Sequence, residues 1–240
     1  MHVLDDLAEF SDRAQGLLSR AGRRAPSDPA RTPTDFLNVR DRAGRVVPAP
    51  AELVVRREGF EARYGGLRYE VRRSALIGRE RFDVSRRWDF SLDEEIWADE
   101  RGWFFSWTGE RVSSPVRFLI HTDGRVGVSD GGPFIEVADS VPHLIEGHAV
   151  MDMVSSWDPW PGSLETWVPA QLGAAMAEHV DGLAPVAEAS GRYDRWHLSE
   201  GVAVRIFWSW TSQGPRTRGV QMWTCGEEGR RQLESAAGKR

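Results

Sequence analysis

The residue types that most often carry chemistry are sparse in this 240-residue sequence. His143 and His148 lie five residues apart in a predicted helix, so their side chains point in different directions, whereas paired zinc ligands on a helix need a spacing of four. Glu146 follows His143 by three residues, on an adjacent face. A metal site there is the weaker interpretation, because a histidine at a helix surface explains the same pattern. We therefore expect no metal ligands and no cofactor.

Cys225 is the single cysteine of the chain. A thiol acts as a nucleophile only with a base close to it in space, and a structural thiol is the favoured interpretation. One cysteine also excludes an internal disulfide and a zinc site made of several thiolates. The sequence contains neither a Gly-x-Gly-x-x-Gly segment nor a Walker loop. These observations predict a protein that is not an enzyme.

An acidic segment, LDEEIWADERGW at residues 92–103, is the first candidate for a binding surface. Carboxylates around a large aromatic residue can dock a cationic protein, because the aromatic anchor supplies affinity and the acids steer association. The competing interpretation is a solvated turn with the tryptophan tucked inside. The candidate partner-binding residues are Asp93, Glu94, Glu95, Trp97, Asp99 and Glu100.

The net charge of −5 conceals an uneven distribution along the chain. Residues 1–87 hold 18 basic and 13 acidic residues, whereas residues 88–200 hold six basic and twenty acidic residues. An acidic zone of this kind repels nucleic acid and attracts a basic partner. Residues 56–87 alone hold ten arginines against five acids, with aromatic residues between them. That composition also fits a nucleic-acid-binding face, although an exposed strand face explains it as well.

The chain holds eleven tryptophans, and four of them suggest a different function. A small-ligand binder or an enzyme with a tryptophan-lined pocket, between the main sheet and the C-terminal strands, is the alternative to a protein-binding role. Two of the four lie two residues apart in one predicted strand and would share a face. Ordinary packing of a sheet on helices is the competing explanation. The four residues are Trp196, Trp208, Trp210 and Trp223.

The elements that must position these residues follow from apolar periodicity and turn signals. One amphipathic helix is predicted over residues 3–20, and a second runs from about residue 49 to Gly65-Gly66, which end it before a strand at 67–73. Asp-Gly within residues 121–126 predicts a hairpin, and Ser140 is the predicted N-cap of a helix that continues to about residue 157. Further predictions are strands at 102–107, 116–121, 192–198, 202–210 and 219–224, a helix at 169–180, and a short closing helix.

This order of elements predicts an α+β fold, with a mixed, mainly antiparallel sheet flanked by helices and additional C-terminal strands. No stretch approaches about 18 consecutive apolar residues, and the N-terminus carries acids where a signal peptide needs basic residues. We therefore expect a cytoplasmic protein that makes no membrane contact. Arginine almost entirely replaces lysine, which is typical of a GC-rich bacterial genome.

The segment LVVRREGFEARYGGLRYEV, residues 53–71, resembles the opening signature of the SUKH superfamily. In that family a helix ends in a Phe-x-x-x-x-Gly-Gly type of motif before the first strand of a mixed sheet. The preceding VVPAP at residues 46–50 and the segment at 123–150 also resemble the family, so the likeness covers residues 46–157. The residues that match the helix motif are Phe60, Tyr64, Gly65 and Gly66.

The resemblance implies a non-enzymatic, intracellular protein-binding domain, since many members of that superfamily are bacterial immunity proteins. We expect a cognate basic toxin domain as the partner, such as a nuclease, because nucleases are usually basic. Neutralisation would then occur by occlusion of the active cleft of the toxin. Nucleic acid is not an expected partner, and the sequence makes no prediction of oligomeric state. Three parts are predicted: an N-terminal helix and connector (1–45), a SUKH-like α+β core (46–157), and a C-terminal helix and β extension (158–240).

Overall fold

The computed structural model describes residues 1–26, 38–41, 43–77, 80–111, 116–160, 180–208, 210 and 218–238. The fold is α+β, as the sequence predicts, with a large curled antiparallel sheet, helices and additional C-terminal strands. The helix predicted over residues 169–180 lies outside the described residues. The described helices are α1 (Asp12–Ala21), α2 (Ala51–Tyr64), α3 (Val141–Val154) and α4 (Gly226–Gly238).

Two sheets dominate the described residues, and every neighbouring pair of strands is antiparallel. The first sheet, in spatial order, contains β1 (Arg23–Arg24), β4 (Leu67–Ile77), β5 (Glu80–Asp99), β6 (Gly102–Glu110), β7 (Arg117–His121), β8 (Val126–Ser129) and β9 (Ile135–Ala138). The second contains β10 (Asp158–Pro159), β14 (Arg218–Thr224), β13 (Val202–Trp208), β12 (Asp194–Leu198) and β11 (Ala184–Pro185). A separate pair joins β2 (Asn38–Arg40) to β3 (Val46–Pro48).

Strand β5 spans twenty residues and has no counterpart among the predicted strands. Apolar residues occupy every second position over its first part, at Phe82, Val84, Trp88, Phe90 and Leu92, and only Arg86 interrupts them, so a strand signal is present that the predicted elements leave out. Register shifts interrupt its pairing with β6 between Asp89 and Ile96, and such bulges bend a strand and increase its twist. The interpretation of residues 92–103 as a solvated turn is wrong, because most of this segment is paired strand.

The N-terminal helix is shorter than predicted. Residues Val3–Asp5 form a single 3₁₀ turn, and α1 begins only at Asp12. Ser11 is the reason, because its Oγ accepts the amide of Ala14 and so caps a new helix. The amide of Ala8 donates to the Asp6 carboxylate in the intervening turn, which offers the backbone an alternative to helix.

Helix α2 ends at the two glycines that the sequence indicates. Gly65 has a φ of −53°, and Gly66 adopts the left-handed conformation with a φ of +73°. A Cβ atom on Gly66 would lie 2.5 Å from the carbonyl oxygen of Ala25, because that segment passes directly over the turn. Phe60 and Tyr64 are buried beneath the sheet. The two glycines therefore end α2, and the two aromatic residues pack it against Phe90 of β5 and against Phe105 and Trp107 of β6.

Helix α3 packs between α1 and β4. Ser140 caps it through its Oγ, which accepts the amide of His143, as predicted. The buried Glu146 accepts the amide of Ser11 at 2.7 Å and its hydroxyl at 2.5 Å. Asp152 accepts the amide of Arg72 at 2.9 Å, which satisfies the open edge of β4. These polar contacts fix the position of α3 against the sheet.

The second sheet has two buried faces. One face contains Val202, Val204 and Met222 and packs in a cluster that includes Leu233 of α4. The other carries tryptophans that join the main core. Trp223 on that face donates through Nε1 to the hydroxyl of Ser74, so the two sheets are linked by a hydrogen bond of 3.1 Å. Among the described residues, no helix is long and apolar enough to cross a membrane.

Candidate ligand-binding cleft

A cleft of about 330 Å³ lies where the first sheet, α3 and the second sheet meet. On β4, Tyr69 and Val71 are buried in the core, and Arg73 follows on the same face one step further along the strand. Alternation along the strand therefore places Arg73 in the cleft. The charged residues, histidines and tryptophans that line the cleft are Arg73, Arg86, Glu110, Asp139, His143, His148, Asp194, Arg205, Trp208 and Trp210.

One guanidinium of the cleft is fully engaged. Arg205 on β13 forms a two-pronged pair with Asp194 on β12, with Nε 2.9 Å from Oδ1 and Nη2 2.5 Å from Oδ2. Its guanidinium also lies over the rings of Trp196 and Phe207, at 5.4 and 4.7 Å from their centroids. A charged fork paired in this way is stable and directional. Arg205 therefore holds β12 and β13 together and has little capacity left for a ligand.

The other two guanidiniums are poorly satisfied. Arg73 and Arg86 share one buried carboxylate, Glu110, at distances of 3.5 and 3.6 Å. Neither arginine side chain forms a hydrogen bond with any other described residue, and Nε of Arg73 is buried without a partner. Burial lowers the pKa of the Arg73 guanidinium, and the nearby Arg205 and Arg86 lower it further, against the opposing effect of Glu110 and Asp194. The formal charges that line the cleft are balanced, with three arginines against Glu110, Asp139 and Asp194, but the donors of Arg73 and Arg86 are not all used.

A neutral histidine forms part of the wall. His148 on α3 is buried, its Nδ1 lies 2.8 Å from the Tyr69 hydroxyl, and its ring centroid lies 4.1 Å from that of Trp88. Burial holds the pKa of His148 well below its usual range, and Arg73 and Arg205 act in the same direction. An uncharged imidazole therefore lies close to the guanidiniums of Arg73 and Arg205.

The four candidate tryptophans separate into two groups. Trp208 and Trp210 line the cleft and are partly exposed. Strand β13 ends at Trp208, so the prediction that one strand continues to residue 210 and carries both on one face is wrong. Trp196 and Trp223 are fully buried and stack on each other at 5.7 Å. They pack in the core behind the cleft. The sequence alone does not show that these two tryptophans are buried and the other two line the cleft.

The candidate partner-binding residues lie away from the cleft, on β5 and the turn after it. Asp93, Glu95 and Glu100 are exposed, whereas Trp97 is half-buried and packs against Phe104, with ring centroids 6.5 Å apart. Glu95 pairs with Arg117 at 3.2 Å. Asp99 accepts the amide of Arg101 at 2.7 Å. The side chain of Glu94 lies outside the described part of the structure.

The opposite charges that are separated along the sequence meet in the fold. Seven of the ten arginines in residues 56–87 form ion pairs with described carboxylates: Arg63, Arg68, Arg72, Arg73, Arg81, Arg86 and Arg87. Four carboxylates from the acidic zone receive these arginines: Asp89, Glu110, Asp152 and Asp158. Surface charge is therefore far more balanced than the sequence distribution suggests, and this favours neither a basic nucleic-acid face nor one large acidic face.

The remaining sequence candidates have local structural roles. His143 lies 2.9 Å from the Ser140 hydroxyl at the start of α3, while Glu146 is bound by Ser11. Cys225 is exposed. In the part of the chain that the structure describes, no group of three or more histidine, cysteine, aspartate or glutamate residues is arranged to hold a metal ion.

The segment Gly127-Val128-Ser129-Asp130-Gly131 has the Gly-x-Ser-x-Gly spacing of a nucleophile elbow. That motif requires a turn from a strand into a helix, with an exposed serine. Here the segment runs from β8 into a turn that leads to β9, and Ser129 is buried. Its hydroxyl donates to the carbonyl of Gly132 at 2.8 Å. Ser129 therefore closes a turn.

Comparisons with family models, with curated proteins and with solved structures gave no match for this chain. The SUKH resemblance accordingly stays a prediction.

Proposed function

We propose that this protein binds a small anionic molecule in the cleft between its two sheets. The main observation behind this proposal is the burial and weak pairing of the Arg73 guanidinium. This guanidinium is largely withdrawn from water, the Arg73 side chain is only 26% exposed, and it shares a single carboxylate with Arg86 at distances too long for strong hydrogen bonds. A cation in such a place is costly unless it is paired and hydrogen-bonded. A bound anion supplies the missing acceptors.

The chemistry of the ligand follows from the groups around it. Arginine presents a planar fork that matches a carboxylate or a phosphate group. Trp208 and Trp210 on the rim offer apolar rings, on which a planar or aliphatic part of the ligand can pack. The cleft of about 330 Å³ is at the small end of ligand sites in proteins, which hold roughly 300–1,000 Å³. The ligand we propose is therefore a small organic acid or phosphate ester with an apolar portion.

The proposed role is binding without catalysis, and it accords with the chemistry of the cleft. His148 is held neutral by its surroundings and is bonded to Tyr69. Glu110 is shared between two arginines, and Asp194 is taken up by Arg205. These groups keep one another in place and stabilise charge, which suits the recognition of an anion.

A thermal-shift screen tests the proposal. Small carboxylates, inorganic phosphate and phosphate esters are compared with neutral amides of the same shape, because a ligand that binds only the folded state raises the melting temperature. We expect acids with an apolar portion to raise it and the matching amides to have no effect. The Arg73→Met variant should abolish the response, whereas Arg87→Met, on the exposed outer face of β5, should retain it. An equal response of both variants would argue against the proposed site.

A second candidate function is the docking of a cationic protein on the acidic segment of β5, as the SUKH resemblance implies for an immunity protein. Asp93 favours it. This carboxylate is exposed and forms no ion pair with the described residues, and its pKa is raised by partial burial and by the nearby Glu95 and Asp89. A cationic side chain would relieve that repulsion. Occlusion of a toxin's active cleft would be the mechanism.

Co-purification with the product of the neighbouring gene tests this second candidate. Docking by charge is steered electrostatically and weakens with salt. We expect an Asp93→Lys variant to slow association at low salt, and Glu234→Lys on the remote helix α4 to have little effect. Absence of a complex with wild-type protein at low salt would count against this function and leave the anion site unaffected.

A further inference from the structure

Over the first half of strand β5, one edge has no strand partner among the described residues. Strand β6 pairs with β5 only from Trp88 onward, and the amide of Arg111 bonds to the carbonyl of Arg87 at the end of that ladder. Between residues 80 and 86, none of the described strands pairs with this edge of β5. Residues 80–85 are all exposed, so this part of β5 lies at the protein surface.

One face of this edge carries exposed apolar side chains, while the charged Arg81 and Asp83 lie on the other face. Phe82 is 40% exposed and Val84 is 42% exposed, and they follow one another on the same face. A strand edge with unpaired backbone groups is a template for pairing with another chain, and proteins usually protect it with charges, prolines or a covering segment. An exposed aromatic and a β-branched residue add affinity for a strand placed alongside.

The charges on the other face fit the same strand from a second copy. In an antiparallel pair centred on Phe82, the two copies of Phe82 face each other, and Arg81 of each copy faces Asp83 of the other. Within one chain these two residues already pair, with Nε of Arg81 at 2.9 and 3.1 Å from the Asp83 oxygens. Opposite charges directly across a strand pair stabilise it and like charges destabilise it. The sequence around Phe82 is thus complementary to itself about a two-fold axis.

We propose that two copies of this protein associate through an antiparallel pairing of residues 80–84 of β5, with a two-fold axis at Phe82. Each chain supplies the same patch, as a closed two-fold dimer requires. The first sheets of the two copies then form one continuous sheet across the axis. This interface is separate from the proposed anion site and does not depend on it.

Analytical ultracentrifugation over a range of protein concentrations tests the dimer. Wild-type protein should show a monomer–dimer equilibrium. Asp83→Arg places two arginines opposite each other on both sides of the axis, and Arg81→Asp places two aspartates there, so each variant alone should weaken the dimer by about tenfold or more. Val55→Arg, at an exposed apolar position on α2, should dimerise like the wild type.

The decisive experiment is to mix the two charge variants and measure whether they associate. Arg81→Asp and Asp83→Arg proteins are each expected to be monomers alone but to form a heterodimer together, because the pairs 81–83 are again opposite in charge. Arg81 also donates to the carbonyl of Ser155, so Phe82→Glu, at an exposed position that places two carboxylates at the axis, serves as a second variant. A monomeric wild type at all concentrations, or charge variants and Phe82→Glu that all dimerise like the wild type, would overturn the proposal.

Discussion

The hydroxyl of Tyr69 on β4 lies 2.8 Å from Nδ1 of His148 on α3, in the buried wall between the core and the cleft. Both groups are shielded from water, and burial shifts the two pKa values in opposite directions: that of Tyr69 rises well above its usual range and that of His148 falls well below. Each is therefore uncharged at neutral pH, and the pair forms a neutral hydrogen bond. The positive charges of Arg73 and Arg205 nearby disfavour protonation of the imidazole.

A pH dependence of stability follows from His148. The pKa of His148 is depressed in the folded state. Below about pH 6.5 the histidine is therefore protonated in the unfolded state while it stays neutral in the folded state. Stability from this group is therefore fully present above that pH and is lost on acidification, by up to about 1.4 kcal/mol per pH unit. In His148→Asn, whose side chain can still bond to Tyr69, we expect the difference in free energy of unfolding between about pH 8 and pH 5.5 to shrink by roughly 1 kcal/mol.

Chemical denaturation at the two pH values measures that difference. Tyr69→Phe is the control, because it removes the hydrogen bond and retains the titrating ring. It should lower stability by about 1 kcal/mol and leave most of the pH dependence in place. An unchanged pH dependence in His148→Asn would show that other groups, among them His2 and His197 with their lowered pKa values, account for it.

Two of the three arginines of the cleft, Arg205 and Arg73, should differ in their effect on stability when their charge is removed. Arg205→Met leaves Asp194 without its counter-ion, and we expect a loss of about 2 kcal/mol, less than for a fully buried pair because 24% of the Asp194 side chain is exposed. Arg73→Met removes a poorly satisfied cation, and Arg86 still pairs with Glu110. We expect unchanged or slightly higher stability, since replacing such a charge by an apolar group is often neutral or favourable.

Thermal denaturation of both variants without added ligand measures this contrast. Retained stability with lost anion binding in Arg73→Met is typical of a residue kept for function at the expense of stability. If Arg73→Met unfolds as readily as Arg205→Met, Arg73 has a structural role and the anion site loses its main support.

The sequence predicts the parts of this fold that local signals determine. Gly66 ends a helix, Ser140 begins one, and Asp123-Gly124 closes a hairpin, each because a single residue type suits a single backbone conformation. Strand β5 carries an apolar alternation at Phe82, Val84, Trp88, Phe90 and Leu92, but the dense charges between these residues and the interruption at Arg86 favour the interpretation as a charged surface instead.

The cleft is beyond local signals altogether. Arg73, Glu110 and Asp194 belong to distant segments, and only the registers of β4–β5–β6 and β12–β13 bring them together. For the same reason, the acidic residues within 88–200 can be counted from the sequence. The ion pairs that they form with arginines nearer the N-terminus cannot be predicted from it.

Substitution by alanine should have opposite effects on stability at Gly66, just after α2, and at Gly59, inside that helix. Gly66→Ala introduces a Cβ atom at a φ of +73° and 2.5 Å from a backbone oxygen, so we expect a loss of stability of about 2–3 kcal/mol. Gly59 lies within α2 with nothing within 4 Å of its added Cβ, and Gly59→Ala should stabilise the protein by about 1 kcal/mol. Denaturant unfolding of both variants checks the signs, and a stabilised Gly66→Ala would contradict the described turn.

The buried and rim tryptophans provide the last test, because their substitutions should separate stability from binding. Trp223 is fully buried, stacks on Trp196 and donates to Ser74. Trp223→Ala should therefore cost about 3–5 kcal/mol. Trp210 is partly exposed and meets Phe118 edge-on at 6.0 Å, so Trp210→Ala should cost about 1 kcal/mol or less.

The loss of ligand affinity should be larger for Trp210 than its small loss of stability suggests. Trp210 lines the cleft, so its loss should weaken binding of an acid with an apolar portion but leave binding of inorganic phosphate nearly unchanged, because phosphate has nothing to pack on the ring. Isothermal titration of Trp210→Ala with both ligands measures the difference, and Trp160→Ala, on the opposite side of the second sheet, is the control. Equal weakening for both ligands would mean that Trp210 shapes the arginine site and does not contact the apolar part of the ligand.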